Sequence, residues 1–176
     1  MAKKIMAWSK CKIEIGDTGT NDAMASSLTS VGVIANQSSS LSSEAGDSLQ
    51  AVATGGEVVA EEPQEGSLVL ETTVIEPTNE FIVGLGLTLE NASANDVKVK
   101  THIVSGNKSV KVTPKNAGSI GIKAPKTTLT YTPAWDEENG NVAVLRFTIL
   151  KTTDIPASEG VDQNYWYERF TTDSAL

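Results

Sequence analysis

Apolar and polar residues alternate along several short segments of this chain. KCKIEIGDTG, which begins at Lys10, has Cys11, Ile13 and Ile15 on one face and charged residues on the other. The alternation is cleanest in VKVKTHIV, residues 97–104. A period of two residues is typical of a half-buried β-strand, so both segments are predicted to be strands. In the second one the pattern places Val97, Val99, Thr101 and Ile103 inward, and Lys98, Lys100 and His102 outward.

Further strands are predicted from shorter runs. Residues 68–75 are apolar on both faces, which is typical of a central strand. Gly106-Asn107 predicts a turn into a strand at 109–113, and EENGN, residues 137–141, predicts a turn into a long strand at 142–151. Three more short strands are predicted at 31–34, in GSIGIKAP (118–125) and in TTLTYTP (127–133).

One helix of about ten residues is predicted after the central strand. Pro77 suits its first turn, where a missing N–H costs nothing. Phe81, Ile82 and Leu85 would share its buried face, and Gly84 and Gly86 lie where it would end.

The serine-rich segment 36–54 allows two interpretations. Its composition is that of a disordered linker. The alternative is a long hairpin, in which 38–43 and 48–54 pair around a turn at 44–47 and the chain continues through Gly55-Gly56 into 57–62. The hairpin would present small hydroxyl-bearing side chains on one face.

These elements together predict a mainly-β fold: a sandwich or barrel of nine or ten strands with a long hairpin and one short α-helix. The 176 residues suit one domain, here 1–176, with an N-terminal segment at 1–9 and a C-terminal arm at about 156–176. Residues 17–27 are predicted to be a loop. The aromatic cluster at 165–170 is predicted to be either an edge strand of the core or an arm docked on another subunit.

The charge balance argues against tight binding of nucleic acid. The net charge is -8 and the pI is about 4.7, so no large basic patch is expected. The single cysteine, Cys11, has no disulfide partner and is expected to be a small buried apolar residue. We expect a soluble protein, because the sequence contains neither an export signal nor a stretch long enough for membrane insertion.

No arrangement of residues predicts catalysis, a metal or a cofactor. His102 lies between two lysines on a polar strand face, with neither a triad nor a ligand set around it. DEENGN lacks the spacing of a calcium loop, and GLGLTL lacks the third glycine of a dinucleotide site. We therefore expect a protein that is not an enzyme.

Two stretches, AWSKCKIEIGDTG and SSSLSSEAGDSLQAVATGGEVVAEEPQEGSLVLETTVIEPTNE, carry a family resemblance. In these, and in the order of its elements, the chain resembles the tail tube proteins of tailed bacteriophages, of the kind carried by viruses and prophages of gut Bacteroidetes. These are related to the tube proteins of contractile and type VI injection systems. The resemblance implies hexameric rings that stack head to tail into the tail tube of a virion, assembled in the bacterial cytoplasm.

The resemblance also implies partners and surfaces. The partners would be further copies of the chain, the tape measure protein and other tail proteins, while DNA passes through without tight binding. The expected lumen-lining residues are Glu44, Asp47, Ser48, Gln50, Glu57 and Glu61, although an ordinary solvent-exposed sheet face is the alternative. The expected subunit-interface residues are Asp17, Asn21, Tyr165, Trp166, Tyr167 and Phe170.

Two other function classes stay open at this point. One is a β-sandwich binding module, an adhesin or carbohydrate-binding domain, for which Trp8, Trp135 and Trp166 could supply aromatic contacts. The other is a capsid decoration or head–tail connector protein, which would differ from a tube protein only in its partners.

Overall fold

A curled sheet of nine strands forms the body of the protein, in a computed structural model that describes residues 11–89, 96–153 and 163–172. The strands of this sheet are β1 (Cys11–Asp17), β2 (Thr29–Ser30), β3 (Val33–Ile34), β4 (Ser40–Ser43), β7 (Leu68–Ile75), β8 (Lys108–Pro114), β9 (Ile120–Asp136), β10 (Gly140–Ile149) and β11 (Glu168–Thr171). A second, two-stranded sheet consists of β5 (Ser48–Val52) and β6 (Val58–Pro63). The strand order of the large sheet is β2-β1-β8-β9-β10-β7-β3, with β4 also paired to β7 and β11 to β9. The prediction of a mainly-β fold with one short helix is confirmed.

The centre of the large sheet is the strand β10, which pairs with β9 on one side and β7 on the other. Its alternate residues Leu145, Phe147 and Ile149 are almost completely buried, as the alternation over 142–151 predicts. The predicted turn before it is also present, and Gly140 adopts a positive φ of 72° there. The inward face of β1 is likewise confirmed, since Ile13 and Ile15 belong to the same core.

The strand β9 runs without a break through 17 residues, where two short strands were predicted. Pro125 ends the first of the two predicted strands, and proline cannot donate to a strand ladder. In the structure Pro125 lies at an irregularity where the register against β8 shifts. Its carbonyl accepts hydrogen bonds from Ser109 Oγ at 2.7 Å and Thr18 Oγ1 at 2.8 Å, so side chains replace part of the ladder.

The helix α1 spans Asn79–Gly84 and is shorter than predicted. Thr78 caps it by accepting a hydrogen bond from the Phe81 N–H, so Pro77 precedes the helix instead of lying in its first turn. Gly86, with a φ of 73°, ends the turn that follows. The predicted burial of Phe81, Ile82 and Leu85 is confirmed.

The prediction of a strand at 97–104 is wrong. With the described residues this segment makes only isolated bridges, between Val99 and Thr88 and between Ile103 and Thr130. Val99 and Ile103, predicted to face inward, are exposed, whereas Val104 is buried. Period-two alternation shows that a segment is suited to a ladder, but a strand also needs a neighbour that runs beside it.

The long hairpin exists, but its turn was predicted in the wrong place. β4 pairs with β7 and not with β5, while β5 pairs with β6 around the tip 53–57. Gly55 and Gly56 adopt φ values of 117° and 88° at this tip, which side chains would oppose, whereas residues 44–47 run on along the hairpin. The serine-rich segment therefore contains strands, and the linker interpretation is wrong for it.

Candidate assembly surface

The hairpin formed by β5, β6 and the tip 53–57, here called the projecting hairpin (residues 48–63), stands away from the body of the protein. Every residue in both of its strands is exposed. Its apolar side chains Leu49, Val52, Val58 and Val59 are between 47% and 61% exposed. A two-stranded hairpin is marginally stable alone in water. Such a surface is suited to being covered by another molecule.

The two faces of the projecting hairpin differ in chemistry. Gln50 lies opposite Glu61, and its amide donates to the carboxylate at 3.4 Å. Residues opposite each other in an antiparallel pair share a face, so Gln50 and Glu61 form one polar face together with Ser48. The other face carries the pairs Leu49–Glu62 and Ala51–Ala60, and the exposed pair Val52–Val58 follows towards the tip, beyond a register shift.

The projecting hairpin is joined to the body by a tight neck, residues 44–47 and 64–67. The pair Ser43–Leu68 ends the β4–β7 ladder and the pair Ser48–Pro63 begins the next one, with four residues between them on each strand. The two ladders therefore keep one register across the neck. At its two glycines the neck has no room for a side chain. A Cβ on Gly66 would meet the Glu44 carbonyl oxygen, and a Cβ on Gly46 would meet the Gln64 carbonyl oxygen.

The structure brings together three of the predicted lumen residues. Ser48, Gln50 and Glu61 share the polar face described above. Glu57 lies at the tip, where its carbonyl accepts from the Ala53 N–H at 2.8 Å. Glu44 and Asp47 belong to the neck, and all six predicted residues are exposed. Whether this face lines a lumen stays a prediction.

The predicted interface residues Asp17 and Asn21 flank the loop that follows β1. Asp17 forms an ion pair with Lys108, whose side chain is almost fully buried. Asn21 is exposed and has a φ of 57°. Beside it, the buried Asp22 accepts hydrogen bonds from Lys126 Nζ at 2.8 Å and from the Thr153 N–H at 2.7 Å. These bonds, with that of Lys126 foremost, lower the pKa of Asp22 to about 2 and fasten the loop to the sheet.

The predicted aromatic cluster lies at the edge of the sheet of its own chain. β11 pairs with the first residues of β9, and Trp166 and Tyr167 pack against the core. Tyr165 exchanges two hydrogen bonds with Thr152, and burial first, then the charge of Glu168, raises its pKa. This is the edge-strand alternative; contact of these aromatic residues with another copy stays a prediction.

Phe170 lies on the outer face of the same edge. A side chain on Gly121 would collide with its ring. The ammonium groups of Lys111 and Lys123 lie 5.4 Å and 5.0 Å from the ring centroid, within the range of cation–π attraction. The ring thus attracts two neighbouring lysines, of which Lys123 also forms an ion pair with Glu168 at 3.6 Å.

A cavity of about 450 Å³ opens beside the neck. It lies between the two neck segments, the end of β10 and the Trp166 ring. Glu44, Asp47 and Glu65 make its polar wall, and Ile149 and Leu150 contribute to its base. The neck and the aromatic edge strand therefore meet in one concave surface.

The division of charge along the chain is a signal that composition alone misses. Residues 13–97 contain 14 of the 22 acidic residues and none of the 14 lysines and arginines. The projecting hairpin and its neck lie wholly within this acidic part and carry six carboxylates. Lys98 and Lys100 are the first basic residues after it, and they lie in the exposed segment that failed to form a strand.

The structure adds no chemical centre to this picture. Among residues 11–89, 96–153 and 163–172, no group of three His, Cys, Asp or Glu side chains is placed to hold a metal ion. Cys11 is half-buried beside Ser39, and burial raises the pKa of its thiol, which disfavours the reactive thiolate. Within that same described part, no helix is long and apolar enough to cross a membrane.

Comparison with known proteins identifies no family for this chain, so a functional proposal depends on the sequence, the fold and this surface. No protein-family model matches the chain, and a search of curated proteins finds no relative.

Proposed function

We propose that the protein is a structural subunit of a bacteriophage tail tube, which assembles into stacked hexameric rings in the host cytoplasm and becomes part of the virion. The observation that carries the proposal is the projecting hairpin, with its exposed apolar side chains and two edges that no other described strand pairs with. This feature adds to the family resemblance of the sequence. The role requires neither catalysis nor a cofactor.

Assembly into a ring would cover the open strand edges of the projecting hairpin. An exposed strand edge presents free N–H and C=O groups and is a template for pairing with another chain. When a neighbouring subunit supplies a strand to such an edge, the edge is covered and the ring can close. The apolar side chains of the hairpin are then covered in the same step.

The carboxylates of the hairpin suit a conduit for DNA. DNA is a polyanion, and a wall bearing Glu57, Glu61 and their neighbours would repel it at short range. The polar face with Ser48, Gln50 and Glu61 is the one we assign to the lumen. Before the genome passes, the same lumen would hold the tape measure protein.

Electron microscopy of the full-length chain tests the assembly. Purified protein at high concentration is expected to give rings or hollow tubes with sixfold end-on views. Protein that stays monomeric at every concentration, including after addition of preformed phage tail tips as seeds, would contradict the proposal.

A pair of charge reversals tests the lumen. Tubes of the variant D47K/E57K are expected to retain short DNA duplexes after sedimentation, because the wall becomes attractive to phosphate. The matched control E137K/E138K changes two exposed carboxylates on the turn between β9 and β10, and its tubes are expected to release DNA as the parent does. Equal retention by both variants would place the hairpin carboxylates outside the lumen.

One observation favours the binding-module alternative. The side chain of Trp135 is 71% exposed near the end of β9, where an aromatic ring is available to stack on a sugar. Binding to a glycan array that is lost in W135A, from a protein that remains monomeric, would support that function instead.

A further inference from the structure

The segment 97–103 has the sequence alternation of a strand but forms no ladder among the described residues. Within that part of the chain it makes two isolated bridges, at Val99 and at Ile103. Val99 and Ile103 are 46% and 79% exposed. A segment with strand chemistry and exposed apolar residues is suited to receive a partner strand.

The backbone shows which edge of this segment is open. The carbonyl of Lys98 accepts from the Leu89 N–H at 2.9 Å, and the Lys100 N–H donates to the Leu87 carbonyl at 2.8 Å. Val99 lies between these two hydrogen-bonded residues, so in an antiparallel bridge its own N–H and C=O point away from the segment 87–89. No backbone hydrogen bond from another described residue reaches Val99 on that side.

The strand β6 of the projecting hairpin presents a complementary edge. It pairs with β5 on one side, and within the described residues it has no strand on the other. Glu61 and Glu62 lie on its two faces, beside exposed Val58 and Val59. The hairpin is acidic, whereas Lys98 and Lys100 make the segment 97–103 basic.

We infer that the segment 97–103 of one copy completes its ladder on the outer edge of β6 of a second copy. Alternation then continues across the junction: Val97 and Val99 would extend the hairpin face that holds Ala60, and the lysines would lie beside Glu61. Glu61 is then neutralised, so the negative charge of the proposed lumen wall rests on Asp47 and Glu57. Opposite charges on neighbouring strands stabilise pairing, and like charges oppose it. Neither Lys98 nor Lys100 takes part in an ion pair among the described residues, so both are available for this contact.

The inference rests on the proposed self-assembly but names the two surfaces that meet. Such a contact is heterologous, because a hairpin on one copy meets a different surface on the next. It therefore propagates from subunit to subunit and suits a ring.

Cysteine cross-linking between two differently tagged preparations tests the contact. In a C11S background, one preparation carries E61C and the other K100C, and the mixture is oxidised at a concentration that permits assembly. A disulfide-linked heterodimer is expected in the mixture, because assembly holds the two thiols at a high effective concentration. The matched control pairs K100C with Q50C, a position equally exposed on β5.

The outcomes separate this inference from the proposed function. A heterodimer from E61C with K100C, in excess of that from Q50C, supports the contact whether or not tubes are seen. Tubes that form while E61C gives no more heterodimer than Q50C would overturn the contact and leave the tube proposal standing. Absence of both cross-links and tubes would overturn the two together.

A charge exchange provides a second measurement. K98E/K100E and E61K/E62K are each expected to lose assembly, and mixing the two variants is expected to restore it, since each hairpin then meets a segment of opposite charge. Assembly of K98E/K100E alone at the parent level would contradict the contact. Circular dichroism of each variant checks that loss of assembly is not loss of folding.

Discussion

Asp22 is the most firmly held carboxylate described in this protein. Its side chain is buried and accepts bonds from Lys126 and Thr153, which join the loop after β1 to the end of the sheet. Asp22→Asn keeps the shape but removes the charge. We expect the free energy of unfolding to fall by about 1.5–3 kcal/mol, the range for hydrogen bonds to charged groups, in urea denaturation at neutral pH.

The pH dependence of this effect follows from the lowered pKa. A carboxylate whose pKa is lower in the folded than in the unfolded state stabilises the fold above its unfolded pKa. For Asp22 the contribution is complete above about pH 4–5 and is lost as pH falls towards 2, since the unfolded pKa is about 3.9. The difference between wild type and D22N should therefore shrink over that interval. Asp47→Asn, at an exposed position, serves as control, and an equal loss in both variants would contradict the assignment.

Thr78 gives a second test at a single residue. Its hydroxyl accepts from the Phe81 N–H, while Thr78 itself is exposed, so Thr78→Ala removes the cap without opening the core. The expected loss is about 1 kcal/mol of unfolding free energy. Thr78→Ser retains the oxygen and should retain most of the stability. Equal melting temperatures for the two variants would show that the cap contributes nothing.

The candidate surface was predictable only in part from its residues. Ser48, Gln50 and Glu61 are correctly grouped because alternation and pairing place them on one face. Lys98 and Lys100 were assigned to a solvent-facing strand, and nothing local in the sequence shows that this strand lacks a neighbour. The charge boundary at residue 97 is visible in the sequence, but its meaning depends on where the acidic hairpin projects.

Among the elements, the projecting hairpin is independent of the core. None of its residues belongs to the core cluster found in the described part of the chain. The Gln64 N–H donates to the Asp47 carbonyl at 3.0 Å, so an Asn-Gly turn between these two residues could replace 48–63. This deletion is expected to change unfolding free energy by no more than about 1 kcal/mol and to abolish assembly, measured by light scattering.

The control for that deletion shortens another exposed hairpin. Replacing residues 137–139 between β9 and β10 with Asn-Gly should leave assembly intact. If the 48–63 deletion still assembles, the hairpin is not the organising contact. If the deletion variant unfolds, the projecting hairpin stabilises the body of the protein although its strands are exposed.

Gly66 tests the neck as an element. A Cβ there would lie 1.6 Å from the Glu44 carbonyl oxygen, so Gly66→Ala must move the backbone. We expect faster amide exchange at Glu44 and Gln64, whose N–H groups bond across the neck. Gly84→Ala, where space is open, is the control. Unchanged amide exchange in G66A would mean that the neck can accommodate the added methyl group without losing its hydrogen bonds.

The strand predictions succeeded where the fold provides a neighbouring strand to pair with. The alternation at 142–151 succeeded because β10 has neighbours on both sides and one buried face. The equally regular 97–104 failed because the described part of the chain offers it two bridges and no neighbouring strand. The turn at 44–47 was misplaced because its Glu-Ala-Gly-Asp sequence suits a turn, whereas Gly55-Gly56 adopts the positive φ angles of the real one.

For the whole molecule, assembly should be visible as protection of two surfaces together. In the monomer, the amides of 48–63 and 97–103 are expected to exchange quickly, since few of their contacts are buried. In assembled material both segments should slow, while β8, β9 and β10 stay protected in both states. Hydrogen–deuterium exchange with mass spectrometry can follow this, and slowing of one segment without the other would contradict their pairing.

The carboxylates on the projecting hairpin have a kinetic consequence. Two free subunits that meet hairpin to hairpin bring like charges together, so the exposed edges discourage the very encounter that would lead to disordered aggregation. The segment 97–103 of another copy, with Lys98 and Lys100, would offer the favourable encounter instead. Charge would thus select the ordered contact over hairpin-to-hairpin association, and this selection should weaken as added salt screens the charges.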